Sequence, residues 1–257
     1  MCGRVAQYRG PMEYASLLKI DWTKSLPREL PNTPPHYNGA PGQDYLIARS
    51  HPETHDTTLD LIRWGLLPSW AKDQKIAWKL INARAETVAS TPAFKTAFAK
   101  RRCLVPVDGF YEWKKAGEEK HPYLIGMATG EPFTLAGLWE NWKDPATGEW
   151  IRTFTIITTD ANELVSELHD RMPVVIGPED RDLWLNGQDQ QELLELLRPY
   201  PFERMTMWSV SRRVNSPKND SPDLLARVDD DDPARDRGSG VERANEGAPE
   251  RKPANSE

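Results

Sequence analysis

Cys2 has the most distinctive chemistry open to any side chain in this sequence. Its small side chain favours removal of Met1, which would leave an α-amine and a thiol on adjacent carbons. Their ordinary pKa values, about 7.7–8.0 and about 8.5, keep a fraction of each nucleophilic near neutrality. Such a 1,2-aminothiol adds its amine to an aldehyde to give a Schiff base. The thiol then closes on the same carbon to form a five-membered thiazolidine. An internal Cys cannot do this. The other cysteine, Cys103, lies in Arg102-Cys103-Leu104-Val105-Pro106 and reads as a buried strand residue.

Two further groups could move protons. In Phe110-Tyr111-Glu112-Trp113, strand alternation puts Glu112 and Phe110 on one face and Tyr111 and Trp113 on the other. A carboxyl among aromatics can hold its proton above the usual range. His169 follows a helical stretch and precedes Pro173, which places an imidazole in a loop at a helix end. Taken alone, each also has a plain structural reading, as a solvent-facing Glu and an exposed His.

The elements that must carry these groups are mostly strands. Residues 45–48, 59–64, 110–113, 123–127, 133–139 and 153–158 have strand composition, with a turn over 143–149. Strands that follow one another without helices between them favour antiparallel pairing. Helices are expected over 11–19, from Thr91-Pro92 to Ala99, from Asp160 to Leu168, over 178–185 and over 190–197. The fold class expected is α+β: curved, mainly antiparallel sheets with peripheral helices.

Of the 257 residues, 39 are acidic and 33 are Lys or Arg, a net charge of −6, so a globally basic DNA-coating protein is excluded. The chain is long enough to bury a sizeable core. No apolar run approaches the roughly 18 residues of a membrane span, and the first residues lack the apolar stretch of a secretory signal. The chain therefore reads as soluble and cytoplasmic, associating with the nucleoid when bound to DNA. Two cysteines make no disulfide framework, and neither they nor the five His have metal-ligand spacing. No cofactor and no metal are expected. Residues 226–257 contain Asp229-Asp230-Asp231-Asp232 and no aromatic side chain, with 9 acids against 6 bases. They are expected to form a disordered acidic tail after a single domain spanning 1–225.

Seven ordered segments resemble the SRAP family, named for SOS response-associated peptidases. They are Met1-Cys2-Gly3-Arg4, Tyr37-Asn38-Gly39-Ala40-Pro41-Gly42, Trp64-Gly65-Leu66-Leu67-Pro68-Ser69-Trp70 and Ile81-Asn82-Ala83-Arg84-Ala85-Glu86-Thr87. The stretch from Arg102 to Trp113, His169-Asp170-Arg171-Met172-Pro173 and Val210-Ser211-Arg212-Arg213-Val214-Asn215 complete the set. The resemblance covers approximately residues 2 to 220 and implies bent sheets forming a pseudo-barrel. It also implies binding to abasic sites in single-stranded DNA, with a covalent thiazolidine between Cys2 and the aldehyde of the ring-opened deoxyribose. The peptidase label would fit self-removal of Met1.

The same resemblance implies site residues. Catalysis falls to Cys2, Asn82, Glu112 and His169: Asn82 orients the sugar, Glu112 transfers protons, and His169 promotes ring opening. DNA contacts fall to Arg4, Asn38, Pro41, Trp70, Arg84, Thr158, Arg171 and Arg213. Because the body is mildly acidic, these contacts must form a local basic groove. Trp70 is implied to stack on or wedge beside a base, although the stretch 71–79 lacks a second Trp adjacent to it. Two other readings remain open: an N-terminal-nucleophile cysteine amidohydrolase, needing an Asn-Gly oxyanion hole such as Asn38-Gly39 or Asn186-Gly187, and a non-catalytic reader of single-stranded or modified DNA.

Overall fold

The structure is a computed structural model and describes residues 2–20, 33–51 and 54–228. The chain runs β1 (Val5–Gln7), α1 (Pro11–Leu17), β2 (His36–Gly39), β3 (Asp44–Ser50), β4 (Thr57–Trp64), β5 (Asn82–Arg84) and α2 (Lys95–Lys100). It continues with β6 (Arg102–Val107), β7 (Gly109–Ala116), β8 (Glu119–Met127), β9 (Phe133–Lys143), β10 (Trp150–Asp160) and α3 (Glu163–Ser166). It ends with β11 (Arg171–Pro173), β12 (Val175–Ile176), α4 (Arg181–Asn186), α5 (Gln190–Glu195) and β13 (Met205–Ser209). Among the described residues, no helix is long and apolar enough to cross a membrane.

Two sheets form. The first has the order β13-β8-β7-β1-β2, and all its pairs are antiparallel. The second runs β11-β10-β4-β3-β6-β9-β12, and β10 also pairs with β9. That extra pairing closes β10, β4, β3, β6 and β9 into a ring, the pseudo-barrel that the motifs implied. The antiparallel expectation holds except where β10 runs parallel to β4 and to β5. Those partners lie far back in the chain, and long connections are what parallel pairing needs.

Alternation along the strands divides the apolar residues into two layers. Tyr45, Ile47, Cys103, Val105 and Leu135 face an inner cluster shared with Cys2, Val5, Phe110, Trp64 and Phe154. Leu46, Ala48, Leu104, Ala136 and Leu138 face an outer cluster under the helices, with Tyr14, Phe98, Trp184 and Leu193. Strand β10 is buried without a break from Thr153 to Thr159, as a strand covered on both faces must be.

Pro106 stands in β6, where it has no N–H to give the ladder. The pairing of β3 with β6 is confined to Ala48↔Leu104 and Arg49↔Cys103. Beyond it the amide of Gln7 takes over, with Nε2 donating to Leu46 O at 3.0 Å and Pro106 O at 2.7 Å. Its Oε1 accepts from Leu46 N–H at 2.8 Å. A side chain of the first sheet thus completes the backbone bonding of the second and pins β1 between them.

The expected helices form, mostly shorter than their sequence patterns. The segment expected to open at Asp160 opens two residues later, where Asn162 Oδ1 accepts from Val165 N–H at 2.9 Å. Asp160 instead ends β10, in register with Arg171. Residues 229–257, most of the expected tail, lie outside the described residues. At the tail's start, Val228 N–H donates to Ser209 O at 3.0 Å.

Candidate functional site

Cys2 sits just ahead of β1, which pairs with β7 through Val5↔Phe110 and Ala6↔Gly109. Tyr111 N–H donates to Arg4 O at 3.0 Å, extending that pairing towards the terminus and bringing Cys2 beside Glu112. The thiol is fully buried in the inner cluster. Burial first, and the Glu112 charge second, push it up to about 12, against a bond from the Arg4 N–H that favours the thiolate. At neutral pH this sulfur is a protonated thiol. With Met1 attached, the Cys2 nitrogen is a peptide nitrogen and not a nucleophile.

Glu112 is 6% exposed on β7, and its Oε1 accepts from Trp113 N–H at 3.2 Å. Burial raises its pKa above the ordinary carboxylate range, with the His169 charge among the influences pulling it back. The raised value matches what its aromatic neighbourhood implied. The alternation also holds: Phe110 faces the inner cluster, while Tyr111 lies with Trp113 in a separate one.

His169 is fixed at the end of α3 by its N–H, which bonds Val165 O at 3.0 Å. Its Nδ1 accepts from Arg171 N–H at 2.9 Å and lies 2.7 Å from Asp170 Oδ1. The ring is thus held between a backbone donor and a carboxylate. Glu112 and His169 line one cleft of about 520 Å³ with Trp113, Lys115, Lys120 and Asn215.

Asn82 opens β5, opposite Ile156 of β10. Its Nδ2 donates to Ile81 O at 3.0 Å, and its Oδ1 is buried without a hydrogen-bond partner among the described residues. Ile81 and Ile156 pack on the apolar cluster that holds Cys2. A buried orphan oxygen costs about 1–3 kcal/mol, so Asn82 is an acceptor suited to a ligand hydroxyl or amine.

The residues expected to touch DNA divide into two groups. Arg84 is exposed on β5, in register with Thr158, and Trp70 is 56% exposed rather than in the core. Pro41 is half-buried in the turn after β2. The others are tied into the scaffold. Arg4 Nη1 donates to Asn38 Oδ1 at 2.6 Å and Val214 O at 2.8 Å, with its guanidinium 5.7 Å from the Trp113 ring centre. Asn38 is fully buried, its Nδ2 directed at the carbonyls of Val214, Ser216 and Asn219. Thr158 is buried with its hydroxyl towards Ala83 O, and Arg213 is paired with Asp223. Arg171 spans Glu86, Asp160 and Thr158 O, which neutralises much of its charge.

Neither Asn-Gly pair offers an oxyanion hole at Cys2. Asn38 is engaged as described, and Gly187 ends α4 with its carbonyl on Arg102. Among the described residues, no group of three or more His, Cys, Asp or Glu gathers in metal-binding geometry.

Four cleft residues were not singled out from the sequence: Trp113 as a lining residue, Lys115, Lys120 and Asn215. The run Lys114-Lys115 before Gly117 and Lys120-His121 after it was the available signal. Trp78 was missed as well. It is 67% exposed and lies over Gly42, where a Cβ would come within 3.0 Å of its ring.

A family model described as SOS response associated peptidase (SRAP) matches residues 1–217. The chain is 41% identical over 228 residues to the abasic site processing protein YoqW of Bacillus subtilis (strain 168), covering 88% of this chain and 99% of that protein. It is 32% identical over 231 residues to the abasic site processing protein YedK of Escherichia coli (strain K12), covering 89% and 100%. It is 34% identical over 226 residues to the abasic site processing protein HMCES of Gallus gallus, covering 76% and 67%. Among solved structures, a protein from Bacteroides thetaiotaomicron superposes with a TM-score of 0.77 at 27% identity, over 88% of this chain and 100% of that one.

Proposed function

The chain belongs to the SOS response-associated peptidase (SRAP) family, and on that premise we propose that it captures abasic sites in single-stranded DNA by crosslinking to them through Cys2. The observation that carries this reading is the burial of the Cys2 thiol beside Glu112, a carboxyl with a raised pKa facing one cleft with His169.

The order of steps follows from the proton inventory. Met1 is removed by hydrolysis, freeing the Cys2 amine. His169 protonates the ring oxygen of the abasic deoxyribose, the bond from C1 to that oxygen breaks, and the anomeric hydroxyl gives its proton to water, opening the sugar to an aldehyde. A thiol pushed up to about 12 is a poor first nucleophile at neutral pH, so the amine attacks first. The C–N bond forms and the carbinol oxygen leaves as water, with Glu112 supplying the proton it needs and recovering one from the nitrogen. The thiol then adds across the C=N bond: sulfur bonds to carbon and its proton ends on nitrogen, giving the thiazolidine. No oxidant or reductant enters. Asn82 Oδ1 would accept from a sugar hydroxyl and hold the open chain in line. The exposed Arg84 supplies a cation beside it for a flanking phosphate.

The test mixes the protein, with its mature terminus established by mass spectrometry, with single-stranded DNA bearing one abasic site. A band that survives denaturing electrophoresis, requires the lesion and is absent with Cys2→Ala is the expected result. An intact Cys2 terminus that gives no adduct overturns the reading. Reversible, salt-sensitive binding alone would then identify a non-covalent reader.

A further inference from the structure

The hairpin of β7 and β8 sets like charges against each other. Its register places Lys115 opposite Lys120 and Lys114 opposite His121. Like charges directly opposed on an antiparallel pair are destabilising, so the arrangement calls for an anion to offset it. No ion pair holds either Lys115 or Lys120 among the described residues. The acid nearest in register, Glu119, is engaged by Arg212 Nη2 at 2.6 Å and lies 3.4 Å from His121 Nε2. Glu118 stands at the turn beside Gly117, exposed. The opposed lysines are not merely on the surface: both line the cleft that Glu112 and His169 share.

Lys115 and Lys120 share the lining of this cleft with His169, whose Nδ1 accepts from Arg171 N–H, and with Trp113, whose Nε1 donates to Asn215 Oδ1 at 2.7 Å. A strand whose reacting sugar lies between His169 and Glu112 therefore passes the lysine pair as it leaves the cleft.

We infer that Lys115 and Lys120 together clamp one backbone phosphate of the DNA strand, on one side of the lesion. This rests on the crosslinking reading for its substrate and adds a second phosphate site that no family motif in the sequence pointed to. Two ammonium groups converging on one phosphodiester relieve their mutual repulsion on binding. The clamp therefore contributes in the bound state and costs in the free one.

The test measures binding of undamaged single-stranded oligonucleotide against salt, using full-length protein and the double variant Lys115→Gln/Lys120→Gln. Losing one phosphate contact lowers the magnitude of the log–log salt slope by about 0.7 on single strands, with affinity at low salt falling about tenfold. Lys115→Arg/Lys120→Arg is expected to retain the slope, and Lys95→Gln/Lys100→Gln, on α2, serves as a charge-matched control. With an abasic oligonucleotide trimmed on one side of the lesion, the penalty of the Gln variant should vanish, while trimming the other side should leave it intact. Equal slopes for the unsubstituted protein and the Gln variant overturn the clamp, as does a penalty indifferent to trimming on either side. Adduct yield at saturating DNA is read on the same samples. No adduct from the unsubstituted protein overturns the crosslinking reading, whereas full yield with equal slopes overturns the clamp alone.

Discussion

Cys2 and Cys103 lie in the same apolar cluster, both fully buried, and burial raises the pKa of both thiols. Their neighbours differ. Cys103 sits in β6 over Gly137, so close that a Cβ there would lie 2.8 Å from its sulfur, and its Trp184-bonded carbonyl belongs to the wall of the ring. Cys2 lies ahead of β1, beside a carboxyl that opens onto a cleft. Reactivity therefore does not follow from how hidden a thiol is. On the proposed chemistry, it follows from whether the thiol's own nitrogen can be freed and whether a proton carrier stands next to it.

The sharpest way to break this contrast is to exchange the two by deletion. Cys2→Ala is expected to abolish the adduct completely, while Cys103→Ala leaves its rate unchanged; denaturing electrophoresis of both against abasic DNA decides it. Next in size is the reactivity of the sulfurs themselves. With Met1 retained and the protein folded, a thiol reagent at pH 8 should modify Cys2 roughly a thousandfold more slowly than a free cysteine, because a thiol near 12 has so little thiolate. Rapid labelling of folded protein would contradict this, and both thiols should react once the chain is unfolded.

Glu112→Gln sharpens the contrast by removing the proton carrier and keeping the shape. The crosslinking rate is expected to fall about a hundredfold, the usual scale for one general acid–base group. Its stability should move the other way. A carboxyl whose folded pKa lies above its unfolded value loses its contribution as pH rises through the folded value. The melting temperature of Glu112→Gln is therefore expected to gain on the unsubstituted protein as pH rises, and a constant gap would count against the burial argument. Smallest is the packing cost of Cys103→Ala, about 1 kcal/mol for a sulfur-sized hole, measured by denaturant unfolding.

Much of the floor of the site was legible in the sequence because it is local. Alternation alone separated Glu112 from Tyr111, and the motif order brought Cys2, Asn82 and His169 forward. What could not be read is non-local. The amide of Asn38 is spent on Arg4, 34 residues away, and on carbonyls 176 to 181 residues away, so a motif residue that resembles a DNA contact is a brace. Arg171 likewise sits next to His169 in sequence, but Glu86 and Asp160 claim its guanidinium. The lysines of the hairpin were visible as a run, yet their opposition depends on a register that the turn at Gly117 sets. Strands of three residues such as β1 and β5 are too short for any periodicity to announce them.

Gln7 ties the chain terminus to both sheets. It stands five residues from Cys2, on the short strand that Cys2 precedes, with its amide seated in the gap that Pro106 leaves in the other sheet. Cys2 is thus registered against both sheets at once, like a key whose bit must enter before the bolt will turn. A chain whose sheets have not docked has no aligned thiol, carboxyl and imidazole, however much secondary structure it has made. On the proposed chemistry, capture of an abasic strand at the folded protein's rate would itself report that the two sheets have come together.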